Sequence, residues 1–290
     1  MVAGFMPVFQ RNLVTLQFKR KKQSYISHSV KIKDVISALE CFAPLPLQED
    51  WDNAGLQVGL TEAEVSGALL CLDVTEQVVD EAISKGCNLI VSHHPLIFRK
   101  LRQIAGKDGV QRCVIKAIKN DIAIVSMHTN LDSAEGGVNH MMAEQLHLEN
   151  VRFLAPQIKD GTECGIGVIG ELKAPMPAEA FISLVKETFH CGCVITNPLL
   201  TRDINKVVCA GGSCGEFLPQ ALSAGADAFI TGEMHYHEYF DHDDEIQIAV
   251  IGHYESEQFT QQLLKRIIEK ECPGVECHLT EVMTNPLRYF

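Results

Sequence analysis

Apolar residues at positions 32, 35, 36, 39 and 42 recur at the spacing of one helical face, so VKIKDVISALECFAP predicts a helix that Pro44 and Pro46 end. The pattern then changes. GALLCLDVT (67–75) is a continuous apolar run of strand length, and TEQVVDEAISKG (75–86) returns to helical spacing, with Thr75 as N-cap and Gly86 just past the end. NLIVS (88–92) predicts a second strand, GVQRCVIKAIKN (109–120) a helix and DIAIVSM (121–127) a third strand. The second half repeats this alternation. GIGVIGEL (165–172) is strand-like, PAEAFISLVKETF (177–189) is a helix with Pro177 in its first turn, and CVITN (193–197) and KVVCA (206–210) are short strands. GGSCGEFLPQALSAG (211–225) reads as a glycine-rich turn into a helix, ADAFITG (226–232) and EIQIAVIG (245–252) as strands, and ESEQFTQQLLKRIIEK (255–270) as one helix. Strands that alternate with helices of this length argue for an α/β fold built on parallel sheets with helices on their faces. The two halves resemble two α/β units with a seam within 136–165.

Charge narrows the possible partners. The chain of 290 residues carries a formal net charge of -12, yet residues 1–33 hold seven Lys and Arg and no acid. Beyond them 18 basic residues face 37 acidic ones, a balance of -19. Such a body repels phosphate backbones and argues against nucleic acid as a partner. The basic, Ser-containing segment 1–30 is set apart from the fold as a disordered tail, a targeting peptide or upstream sequence. No apolar run is long enough to span a bilayer, so no membrane role and a cytoplasmic location are expected, or an organellar one if 1–30 is a transit peptide. The eleven cysteines form no C-x-x-C pair and sit largely in apolar runs, as small core residues do in a reducing compartment; Cys191 and Cys193 are read as core as well.

The chemistry gathers where strands end. Open parallel sheets bind ligands beyond the carboxyl ends of their strands. His93 and His94 follow NLIVS, with Pro95 keeping His94 extended. His128 and Asp132 follow DIAIVSM; His253 follows EIQIAVIG, with Glu257 four residues on and on the same helical face. Imidazoles and carboxylates in this mixture suit Zn, Mn, Fe, Ni or Co as divalent ions. Five ligands exceed the needs of one catalytic ion with an open position, and adjacent side chains such as His93 and His94 diverge. Two ions about 3.5–4 Å apart, bridged by a carboxylate, would hold and deprotonate a water between them. Other motifs fit worse. The H-x-E with P-C-x-x-C pattern of zinc deaminases is absent, and His237-Glu238 is followed by His242, one residue too far for H-E-x-x-H. Gly211–Gly215 lacks the Lys-Ser/Thr of a P-loop and reads as a tight turn, while His235, His237 and His242 are either substrate-side groups or part of a solvated loop.

DWDNAGLQVG (50–59), SHHPLIF (92–98), HTNLD with GGVN, GADAFITGEMHYH (225–237) and HYESE (253–257), in this order from about residue 31 to 290, resemble the Ngg-one-interacting-factor-three-like family, often labelled GTP cyclohydrolase type 2 homologues. The resemblance implies two similar α/β domains with a dinuclear metal site in the cleft between them, and a toroidal homohexamer. On this chain it divides residues 31–135 with 252–290 from residues 136–251. It gives His94 and Asp132 to one ion, His93 and His253 to the other, and Glu257 as the bridge, with Trp51, Asp52 and Asn53 along the cleft. Where many relatives show Gly-x-Gly-Arg-x-Gly, this chain has Val168 in the Arg position, which cannot clamp an anion as Arg would. Two functions follow as expectations. One is a metal-dependent hydrolase in which a bridging hydroxide attacks a small, nucleotide-like substrate while His128 or His235 moves protons. The other is a non-catalytic scaffold that binds a metabolite or partner or delivers metal.

Overall fold

A computed structural model describes residues 29–290. The basic segment at the N-terminus lies outside the described residues apart from its last two, Ser29 and Val30, and the Val30 carbonyl accepts a hydrogen bond from the Val65 N–H. In chain order the first half holds α1 (Ile32–Phe42), β1 (Gly55–Val58), β2 (Ala68–Cys71), α2 (Glu76–Lys85), β3 (Leu89–Ser92), α3 (Gly109–Lys119), β4 (Ala123–Ser126), α4 (Thr129–Ser133) and α5 (Val138–Gln145). The second half holds β5 (Glu149–Phe153), the hairpin β6 (Gln157–Lys159) and β7 (Thr162–Cys164), β8 (Val168–Met176), α6 (Ala178–Thr188), β9 (Ile204–Ala210) and α7 (Leu218–Ser223). It continues with β10 (Ala228–Thr231), β11 (Gln247–Val250), α8 (His253–Glu257), α9 (Thr260–Glu271) and β12 (Cys277–Leu279).

The helix signals act as their chemistry requires. The Thr75 hydroxyl accepts from the Val78 N–H and opens α2, and Gly86 closes it at φ 70°, where a side chain would be strained. Two mixed sheets result. The first has the order β1-β4-β3-β2-β12, parallel except for β1; the second has β11-β10-β9-β8-β5, parallel from β11 to β9 and antiparallel beyond. β2, β3, β4, β9, β10 and β11 are buried throughout except at their polar margins, which explains why they read as unbroken apolar runs.

Each sheet has apolar packing on both faces. α1 and α9 cover one face of the first sheet through Val35, Leu39, Leu264 and Ile268, and α2 and α3 cover the other through Val79, Ala82 and Val114. In the second sheet α6 packs through Phe181 and Val185 on one face and α7 through Leu218 and Ala221 on the other. α9 therefore follows a strand of the second sheet yet packs on the first, so the chain crosses between them at residues 252–259. Among the described residues no helix is long and apolar enough to cross a membrane.

Three local expectations need correction. Residues 193–197 form no strand; Ile195 makes one isolated bridge to Val250, because Pro198 and a buried Asn197 that bonds to Ile246 and Ile248 turn the chain away. The predicted helix over 255–270 is two, α8 and α9, hinged at Gln258–Phe259. Cys193 is exposed rather than core, while Cys191 is buried, and every cysteine is free.

Candidate metal centre

The parallel strands of both sheets end in register at one cleft. β2, β3 and β4 deliver Asp73, His93 and His94, and His128 with Asp132; β9, β10 and β11 deliver the Gly211–Gly215 turn, Glu233, and His253 with Glu257. Residues far apart in sequence meet there: the Nε2 atoms of His94 and His253 are 3.3 Å apart. Glu257 Oε2 lies 3.0 Å from His94 Nε2 and 3.3 Å from His253 Nε2, and Oε1 lies 3.7 Å from His93 Nε2. Asp132 Oδ1 is 3.6 Å from His93 Nε2. Ligand-type atoms of His93, His94 and His128 fall within 4.8 Å of one another, and so do those of His94, His253 and Glu257. The five residues expected as ligands are thus gathered in one place, with His128 beside them. His235 is not among them. It is exposed on a neighbouring cavity, where its N–H donates to the Glu238 carboxylate and caps a short turn.

The far nitrogen of each imidazole is held. His93 Nδ1 lies 2.8 Å from the Met127 carbonyl, His94 Nδ1 2.8 Å from Asp73, His128 Nδ1 2.7 Å from Asp52 and His253 Nδ1 3.0 Å from Glu233. Fixing Nδ1–H as a donor leaves Nε2 as the atom presented to the cleft, the arrangement by which outer partners orient metal-binding histidines. Asp52 is itself tied down by the Thr129 N–H and hydroxyl and by the Asn53 N–H. Asp73 also accepts from the Thr284 hydroxyl at 2.9 Å. Of these outer partners the sequence reading included Asp52 only as a cleft residue. Asp73 and Glu233 have no sequence signal beyond their places just after the ends of β2 and β10.

The buried carboxylates and imidazoles of the centre shift one another strongly. Burial alone would raise Glu257, but the imidazoles of His93, His253 and His94 hold it ionised, well below the usual carboxylate range. Burial and the neighbouring Glu257 charge push Asp132 well above that range. Against burial, hydrogen bonds to Asp73 and Glu257 lift His94 to about 10, and Glu257 lifts His253 to about 9. Burial lowers His93. Asp52 stays at about 2 despite burial because His128 and Thr129 bond to it. His93 Nε2 is buried without a hydrogen-bond partner, and Glu257 Oε2 faces the Nε2 atoms of His94 and His253. An orphaned atom is costly in a native interior, and imidazole nitrogens and a carboxylate facing one space fit a borderline divalent ion.

The glycine turn serves this centre by making room. Gly212 has φ 70°, and a Cβ there would stand 2.5 Å from Glu257 Oε1. The Gly211 and Gly212 N–H groups donate to Asn139 and Ser256, so they are not free to cradle an anion. A cavity of about 840 Å3 opens over the centre, with Trp51, Phe98, His128 and Phe217 on its walls. Trp51 is 61% exposed and packs edge-on to Phe98 and His128. Asn53 turns aside and donates to the Ile97 carbonyl.

Two α/β sheets whose strand ends hold converging imidazoles and carboxylates define an α/β protein with a candidate divalent-metal centre. Residues 30–286 match the Duf34/NIF3 (NGG1p interacting factor 3) family model, and the chain belongs to that family. It is 38% identical over 231 residues to a GTP cyclohydrolase 1 type 2 homolog of Clostridium acetobutylicum, covering 79% of this chain and 86% of that protein. It is 32% identical to the NIF3-like protein 1 of Drosophila melanogaster, covering 83% and 84%. The crystal structure of Staphylococcus aureus protein SA1388 superposes with a TM-score of 0.83 at 28% identity, over 90% of this chain and all of that one.

Two outcomes are expected. In the metal-free chain the charged forms of His94 and His253 contribute stability that is complete below the ordinary imidazole value of about 6.5 and is lost as pH rises through about 9 and 10. Ion binding has to displace those protons, so uptake near neutral pH should release about two protons per chain, with apparent affinity rising as pH increases. Calorimetry in buffers of different ionisation enthalpy measures this, and uptake without proton release would contradict the hydrogen-bonding scheme. Thr284→Val, which leaves Asp73 one donor short, should weaken metal binding about tenfold, with Thr284→Ser restoring it. A chelator competition titration reads both variants.

Proposed function

We propose that this protein binds two divalent metal ions per chain and acts as a metal-dependent hydrolase of a small nucleotide-like or nucleoside-like substrate. The observation that carries the reading is the buried His93 Nε2, left without a hydrogen-bond partner beside the Glu257 carboxylate, inside a ring of oriented imidazoles and carboxylates. His94 and Asp132 would serve one ion, His93 and His253 the other, and Glu257, with Oε1 toward His93 and Oε2 toward both His94 and His253, would bridge them. Bound there, such ions would supply Lewis acidity and activate water for attack on an electrophilic carbon or phosphorus.

The chain's own groups then have defined tasks. Asp52 fixes the tautomer of His128, so that its Nε2 can accept a proton or add a further ligand beside His93 and His94. Asp73 and Glu233 raise the basicity of His94 and His253 and hold their rings in place. Trp51 and Phe98 form an aromatic wall on one side of the cavity. The same reading carries assembly as a homohexamer, as the family resemblance implies.

Elemental analysis of protein purified without metal-binding tags should find close to two ions per chain, falling sharply in Glu257→Ala. Light scattering on the same samples should give the mass of six chains. Metal-loaded protein should turn over a member of a panel of nucleotides, nucleosides, phosphodiesters and amides faster than the variant. GTP enters that panel through the name of the Clostridium relative. Two ions with no turnover, and an assembly that comes apart in Glu257→Ala, would replace the hydrolase with a metal-organised scaffold. One ion or none after incubation with Zn, Mn or Fe would sink both.

A further inference from the structure

The cavity over the centre is rich in carboxylates and poor in cations. Glu49, Asp50, Asp132, Glu216 and Glu257 line it, whereas Lys159 is its one Lys or Arg among the described residues. Lys159 is already spent. Its ammonium lies 3.0 Å from Glu49 and 3.3 and 3.4 Å from the Leu47 and Gln48 carbonyls, three acceptors for three donors.

Several backbone groups that could hold an anion are committed as well. The N–H groups of Gly211 and Gly212 are taken, and so is that of Thr129, which donates to Asp52. Val168, in the middle of the Gly-rich stretch 165–170, is fully buried in β8. Two divalent ions would offset the lining carboxylates and Lys159 would balance the remainder, which leaves no positive surplus to attract a phosphate chain.

What the cavity does offer is aromatic surface. Trp51 and Phe98, 61% and 51% exposed, stand edge-to-face with ring centres 5.9 Å apart at its mouth, and both lie edge-on to His128 at 6.0 and 6.3 Å. Ile166 and Phe217 also line the space. Large exposed aromatics beside polar, oriented groups match a flat ligand that is apolar on its faces and polar at its edge.

We propose that the group entering this cavity is an uncharged planar heteroaromatic, such as an unphosphorylated nucleoside base, and that a phosphate chain weakens binding. The inference rests on the metal-occupied centre of the preceding section and narrows its substrate class. Aromatic walls and the centre recognise the ring, while Asp50 and Glu216, which have no ion-pair partner among the described residues, disfavour polyanions.

Trp51 is the only tryptophan of the chain, so intrinsic fluorescence reports directly on this cavity. Metal-loaded full-length protein, with its metal content checked after each titration, is titrated with guanosine, inosine, GTP and pyrophosphate, and calorimetry repeats each measurement. Guanosine or inosine should change the emission and bind at least about tenfold more tightly than GTP, a difference of one decade in Kd. Pyrophosphate should not displace them. Glu216→Lys should shift the preference back toward GTP, and Trp51→Phe should weaken the nucleosides by calorimetry without altering metal content. GTP binding as tight as guanosine, displacement by pyrophosphate, an unchanged preference in Glu216→Lys, or no nucleoside binding by either method overturns the proposal. Nucleoside binding without turnover leaves it standing while removing the hydrolase; tight GTP binding with turnover does the reverse.

Discussion

The structure depends on keeping one carboxylate, that of Glu257, ionised and nearly dry. A buried carboxylate is tolerated only when neighbouring groups compensate it, and here the compensation comes from imidazoles on both sides of the cleft. His93 and His94 come from the first sheet, and His253 from the strand end of the second. Neither sheet alone can satisfy Glu257. The relative placement of the two sheets is therefore a condition of the centre, and the centre in turn ties the sheets together.

That dependence explains several features that packing alone would not require. Gly212 is needed because its positive φ and missing side chain let the turn after β9 pass against Glu257. α8 is short and separated from α9, so that His253 and Glu257 face the cleft while α9 swings onto the first sheet beside α1. The C-terminal segment works as a strap. Thr284 bonds to Asp73 behind His94, Asn285 bonds to the buried Glu255 of α8, and Tyr289 lies against Gly192 of the second half. Polar contacts at this depth are demanding, since each unsatisfied member would cost more than its bond contributes. The oriented histidines are thus supported by groups with little freedom to move, the preorganisation that a binding or catalytic centre requires.

Much of this was readable from local pattern. The helical spacing of Ile32, Val35 and Leu39, the Thr75 cap and the Gly86 stop each rest on interactions within a few residues, and they placed α1 and α2 closely. Buried parallel strands announced themselves as apolar runs, and His93, His94, His128, Asp132, His253 and Glu257 could be singled out because ligands gather where such strands end. Elements governed by distant partners were not readable. CVITN has strand composition, but Asn197 is drawn into buried hydrogen bonds with Ile246 and Ile248, so the segment makes one isolated bridge and leaves Cys193 and Ile195 exposed. The apolar spacing of 259–268 runs on smoothly from 255, and nothing local shows that the helix must break to aim Glu257 at His94.

The sequence by itself determined the residue types available for chemistry, the order of helices and strands, and the excess of acid beyond the basic N-terminus. All of these follow from local sterics, periodicity and composition. Only the tertiary structure decided which histidines share a carboxylate, which carboxylates stand behind them, and that His235 lies apart. The physical reason is separation: His94 and His253 are 159 residues apart in the chain and 3.3 Å apart in the fold. No pattern over a few turns carries that distance, which is set by two packed cores and the crossing between them.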